Sequence, residues 1–394
     1  MDLPVLNFQG GRSPGRTLRV LHPVFALTGV LHSIGGPLLP SLVAAFYLTD
    51  SESGTLFLAY YAGVSLGALL CGRNHARSIT VGFLALTFVC LGVADTNRVI
   101  LHPLFLLLGI CVGVPMSAVS MRAGRMFGSR SAAPLTLLNF SWSAGALVAP
   151  LFAARLHISH TYRSAYVGLS VAAGLATLAS WLGLSDPPER TPSRLQPFTS
   201  LDVRFIVLLA NLTFLEVGIE NTTGSWLATY VLRTTARSAA FAAGSSSLYF
   251  GGFLASRGLS SLLLLRLDPS RLLGFSMGAA LLAALMLIGL PGMAGHIVAM
   301  IVLGVALAPI FPLLLASFFA RARRSSDSRW LLAVCGFGGS VLPWLTGVVS
   351  ARSGSLRLGL VTLPVALALM ICMLPLLTKW RTHSGVASPV AIPE

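Results

Sequence analysis

Apolar runs long enough to cross a bilayer recur from one end of this sequence to the other, and nothing else about it narrows the possible folds so much. A membrane-spanning helix needs about 20 consecutive, mostly apolar residues. Charge tells the same story: charged residues make up 10% of 394 positions and hydrophobic ones 55%, whereas a soluble domain carries about 25% charged residues. So little charge cannot coat a water-facing surface of this size. No segment is large enough for a separate soluble domain.

The runs predict twelve spans: about 20–47, 54–72, 78–96, 99–121, 133–154, 163–184, 204–232, 239–265, 270–290, 294–319, 329–350 and 356–378. The expected fold is an all-α membrane protein, and the first run is too long for a signal h-region of about 7–15 residues. Pro37, Pro115, Pro309, Pro312 and Pro343 fall inside spans, where neighbouring helices can satisfy freed backbone groups.

The net charge of +15 does not indicate nucleic acid. The basic residues form short clusters between apolar runs, with no basic stripe interleaved with stacking aromatics. They fit the excess of Lys and Arg in cytoplasmic loops. Twenty of the 27, Arg257 among them, fall on one side and seven on the other. Both termini are therefore expected in the cytoplasm, which requires an even number of spans, and the expected location is a bacterial inner membrane. The five cysteines lie in or at the ends of apolar runs without a CxxC pair or Cys/His cluster, so neither zinc nor a disulfide framework is expected. No phosphate loop, hydrolase triad or metal set appears, so the sequence points to neither an enzyme nor a cofactor.

A repeat runs through the chain. Span 2 reads SGTLFLAYYAGVSLGALLCGR and span 8 GSSSLYFGGFLASRGLSSLLLLR; both pass from small residues through an aromatic pair to glycines and then Arg. Spans 4–5 and 10–11 share a small- and Pro-containing helix, a short basic loop and a second helix ending in Pro. Matches six spans apart indicate two parallel six-helix bundles: residues 1–184, a linker at 185–203, and 204–394. The patterns Gly63-x-x-x-Gly67, Gly109-x-x-x-Gly113 and Gly274-x-x-x-Gly278 predict close helix packing, without requiring a dimer; a monomer is expected.

Four stretches resemble the major facilitator superfamily: HSIGGPLLPSL in span 1, the glycine-rich segments of spans 2 and 8, NFSWSAGALVAP in span 5, and EVGIENTTGSWLATYV in span 7. The last is similar to the Gly-x-Glu…Trp-Leu…Tyr segment of fucose-permease-like sugar transporters. One loop departs from the family: between spans 2 and 3 the chain reads GRNHARS, with no acid for the latch built there in relatives. The resemblance implies a secondary transporter that moves a small solute by alternating access.

Ionisable groups at membrane depth cost about 2.5–3.5 kcal/mol on insertion scales, so each needs a reason. Glu216 and Glu220 are the deep acids, at i and i+4 in span 7 and hence on one helix face about 6 Å apart. Two such carboxylates in low dielectric should not both ionise, which suits a proton carrier; Glu220 falls on the acid of the family segment. Asn221 and Trp226 offer an amide and a ring to a polyhydroxylated solute, although Trp226 could equally belong to an interfacial belt. His32 lies mid-span beside Gly35-Gly36-Pro37. Asn139 and Trp142 give span 5 a polar and aromatic face, and Tyr61 and Tyr249 could line or gate a pathway. Each of these residues could instead serve helix packing alone. The expectation is proton-coupled symport of a small polar solute, a sugar foremost. The alternatives are a drug or metabolite exporter, a proton antiporter whose relatives often place acids in spans 1 or 4, and an uncoupled facilitator. A membrane-embedded enzyme or sensor is the reading from another class.

Overall fold

The structure is a computed structural model that describes residues 14–127, 132–159, 162–185, 203–235, 237–263, 267–321 and 328–383. All regular elements among them are helices: α1 Pro14–Ser33, α2 Gly35–Phe46, α3 Asp50–Leu70, α4 His75–Ala94, α5 Leu101–Phe127, α6 Ala132–Ser159, α7 Tyr162–Gly183, α8 Val203–Thr235, α9 Ala239–Leu263, α10 Pro269–Gly289, α11 Gly292–Leu307, α12 Ile310–Arg321, α13 Ser328–Ser353, α14 Leu356–Gly359 and α15 Thr362–His383. Among the described residues nine stretches are long and apolar enough to cross a membrane, and the bent pair α1–α2 makes a tenth. Helices α9 and α13 are also of spanning length but richer in serine and glycine, and complete twelve spans. Both run along the seam between the two halves. All but two residues of the expected linker at 185–203 lie outside the described residues.

The packing repeats six spans on. In the N-terminal half α3 packs on α5, α4 on α5 and α7, and α1 on α6; in the C-terminal half α9 packs on α11, α10 on α11 and α15, and α8 on α13. The seam obeys the same two-fold relation, with α3 against α13 and α9 against α6, closed further by α2 on α8. Large apolar side chains on α4, α7, α10 and α15, such as Phe88, Leu175, Phe275 and Leu369, are exposed, forming the outer, lipid-facing wall.

Glycines set the spacing of these pairs. An added Cβ at Gly63 would stand 2.2 Å from the Leu106 carbonyl oxygen, and one at Gly109 1.9 Å from that of Tyr60, so the first two small-residue patterns pack against each other. Gly304 makes the equivalent approach to Tyr249 in the other half. The third pattern differs from expectation: nothing lies within 4 Å of a Cβ at Gly278.

Three spans expected to be continuous are broken. In span 1 the helix is interrupted between Ser33 and Gly35, with a 42° bend. Pro37 has no N–H for the Ser33 carbonyl and its ring crowds it, which is the usual cause of such a kink. In span 10, Pro309 leaves the Val305 carbonyl without its helical donor, and Ser256 of α9 donates to that oxygen at 2.7 Å. In span 12, the single turn α14 precedes α15.

Candidate functional site

Helix α8 begins on the side of the membrane where α1 begins, termed here the near side, and Glu216 and Glu220 straddle its midpoint. His32 of α1, Tyr61 of α3, Trp142 of α6 and Tyr249 of α9 lie close to the middle of their own spans. Equal depth on five spans brings these side chains into one layer.

The layer is joined by contacts between the halves. His32 Nε2 meets Asn221 Oδ1 at 3.3 Å, and the Tyr61 hydroxyl meets Ser225 Oγ at 3.2 Å. The His32 ring sits against Trp142 at 5.4 Å and Tyr61 at 5.3 Å between centroids. Asn221 is wedged against α13, where a Cβ at Gly339 would lie 2.1 Å from its Nδ2. Glu216, Glu220 and Arg257 all lie near Tyr249, and Glu220 near Tyr61.

Glu216 is fully buried and neither carboxyl oxygen has a hydrogen-bond partner. An ionised carboxylate in that position would cost several kcal/mol; the neutral acid is the form that fits. Glu220, one turn on, is only partly buried. The Tyr249 hydroxyl, Trp142 Nε1 and His32 Nδ1 are likewise buried without partners. A cavity of about 10 Å³ beside His32, Tyr60, Tyr61 and Tyr166 has room for one water at most.

Arg257 departs from its expected place among the loop cations: it lies inside α9 and is partly buried. Its Nη1 donates to Ser143 Oγ of α6 at 2.8 Å, and its guanidinium carbon lies 4.4 Å from the Phe253 ring centroid and 5.6 Å from that of Trp142. Its charge acts on both Glu216 and Glu220. Burial in a helix interior explains why it escapes the loop pattern. The available signal was its position, well inside the run that ends at Arg266.

Two expected residues stand apart from this layer. Trp226 is fully buried, and its Nε1 donates to the Pro343 carbonyl at 3.0 Å, tying α8 to α13. Asn139 is exposed on α6 one turn before Ser143, whose hydroxyl donates to the Asn139 carbonyl.

On the far side the halves are clamped. Arg233 of α8 makes a bidentate pair with Asp50 of α3 at 2.6 and 2.7 Å, and Ser350 of α13 also donates to Asp50. Beneath it α2 presses on α8, so that a Cβ at Gly36 would stand 2.0 Å from the Gly224 carbonyl oxygen. Within the N-terminal half Glu52 caps α3 through Thr49 and pairs with Arg98 at 2.7 Å.

Two parallel six-helix halves with buried ionisable groups at their shared midplane define a polytopic membrane carrier. The chain belongs to the Major Facilitator Superfamily, whose family model matches residues 21–329. It is therefore a secondary transporter of small molecules. No curated protein matches the sequence. Among solved structures it is similar to a bacterial homolog of the human lysosomal transporter Spinster in an inward-facing, unoccupied conformation, with TM-score 0.74, 16% identity, and coverage of 96% of this chain and 100% of that one. It is also similar to the E. coli fucose:proton symporter FucP, with TM-score 0.63, 17% identity, and coverage of 91% and 98%.

Proposed function

We propose that this transporter is a proton-coupled symporter of a small polar solute, most simply a sugar or close derivative. The observation that carries the reading is Glu216: a fully buried carboxyl without hydrogen-bond partners, one turn from Glu220, at the middle of a spanning helix. A group so costly at that depth is a functional hypothesis by default. Protons taken up by the pair from the far side load the carrier together with solute. The halves then rock about the midplane layer and release both on the near side. With Arg257 removed from the loops, the basic residues still divide nineteen against seven, which supports a cytoplasmic near side. The clamp at Asp50 and Arg233 then closes the protein to the outside.

The test is uptake into proteoliposomes under an imposed inward proton gradient, comparing wild type with Glu220→Gln and Glu216→Gln. Gradient-driven uptake should vanish in each while solute binding persists. Uptake that keeps its full gradient dependence in both variants would overturn proton coupling through this pair.

A further inference from the structure

We infer that the carried solute bears a single carboxylate and that Arg257 binds it. This rests on the proton-symport reading and asks what the midplane layer recognises.

The guanidinium of Arg257 is held on one edge and lies near two rings. Nη1 holds Ser143 Oγ, while Phe253 and Trp142 lie within cation–π distance. Its Nε is buried and has no hydrogen-bond partner. Nε and the neighbouring Nη2 form the edge that takes the two oxygens of a carboxylate in parallel. The described ion pairs use Arg98 and Arg233, and neither involves Arg257.

The orphaned groups around it are mainly donors. Trp142 Nε1 can only donate, the Tyr249 hydroxyl can donate, and a neutral Glu216 carries an O–H. Such a set calls for an acceptor-rich solute, whereas a neutral sugar carries a donor on every hydroxyl and leaves the cation unbalanced. With both glutamates neutral, the layer carries one positive charge, and one carboxylate cancels it. A dianion such as a phosphate ester would leave a net negative charge in low dielectric. When the glutamate pair gives up one proton, the positive charge of Arg257 is already cancelled and a bound carboxylate would leave a net negative charge in low dielectric, so proton loading must accompany solute loading.

Access and class follow from the near edge. Arg257 is partly exposed, and Gly258 and Leu259 after it are exposed. Across the seam the exposed Asn139 lies on the same face of α6 as Ser143, one turn away, and its amide suits a solute hydroxyl. The class is a hydroxylated monocarboxylate, a sugar acid or shorter hydroxy acid.

The test uses reconstituted full-length protein under an inward proton gradient, with radiolabelled lactate, glycerate, gluconate and glucuronate set against glucose and fucose. At least one acid should enter far faster than either neutral sugar. Arg257→Gln should lower that uptake about thirtyfold or more, as expected when one partner of a buried charge pair is removed, and Arg257→Lys should restore part of it. Should Arg257→Gln fail to fold, Arg257→Lys carries the test through a raised KM for the acid, since the charge remains and the fork does not. Acid uptake indifferent to both variants, or no acid taken up at all, overturns the inference. Proton-driven uptake of glucose or fucose with the acids inert overturns the carboxylate and leaves proton coupling standing. Acid uptake that depends on Arg257 but ignores the gradient does the reverse.

Discussion

The far clamp and the midplane layer are both polar contacts between the same two halves, yet they are built on opposite rules. At the clamp the charges are answered: Asp50 has Arg233 and Ser350, and beside it, within the N-terminal half, Glu52 has Arg98 and Thr49. In the layer Glu216, Tyr249 and Trp142 each keep a buried polar atom without a partner, and so do His32 and Arg257. Satisfied groups hold a structure closed, whereas orphaned groups are a standing penalty of about 1–3 kcal/mol each unless something else comes to pair with them. The clamp is built to fasten the protein, and the layer is built to receive.

That contrast can be broken by experiment, beginning with the largest effect. Glu216→Gln should reduce gradient-driven uptake in proteoliposomes to the level of empty liposomes, because the amide cannot carry the proton. Glu216→Leu should do the same to transport while raising stability by about 1–3 kcal/mol, read as a higher midpoint in detergent thermal unfolding. A lower midpoint would mean that Glu216 has partners in solution and is structural. Gly36→Ala forces α2 away from α8 and should destabilise by about 1–3 kcal/mol. Its measure is faster far-side labelling of a cysteine placed at Ser225. Asp50→Asn should have the smallest effect, since partly exposed ion pairs contribute about 1 kcal/mol or less. It should raise the same labelling rate a few-fold, and exchanging the pair as Asp50→Arg with Arg233→Asp should return it toward wild type.

The two regions were unequally legible in the sequence. Spacing alone places Glu216 and Glu220 on one face of a buried helix, and the positions of His32, Tyr61, Trp142 and Tyr249 near mid-span follow from the apolar runs. The Gly63-x-x-x-Gly67 and Gly109-x-x-x-Gly113 patterns anticipated the close packing of spans 2 and 4, because close backbone approach demands a particular residue. The clamp was invisible. Asp50 and Arg233 are 183 residues apart, and each alone looks like an ordinary loop-end charge. Arg257 was misread because a cation near the end of an apolar run resembles a loop anchor. Only the facing Ser143 and Trp142, from the other half, show what holds it. The breaks at Ser33 and Ala308 lay in plain view as prolines, but whether a proline bends a span depends on which neighbour answers the freed carbonyl. At Val305 that neighbour is Ser256, on another helix.

The length of α8 has one more consequence. Its 33 residues rise about 50 Å, against a hydrocarbon core of about 30 Å. With the two glutamates at its middle, Arg233 stands about 20 Å from the midplane, outside the hydrocarbon and among headgroups and water. Mobile ions reach it there. The Debye length falls from about 8 Å at physiological ionic strength to about 3 Å at 1 M, so the salt of the surrounding medium weakens the clamp while the buried layer does not feel it. How readily the carrier opens outward is thereby set partly by the ionic strength of the water it faces, whatever the solute it carries.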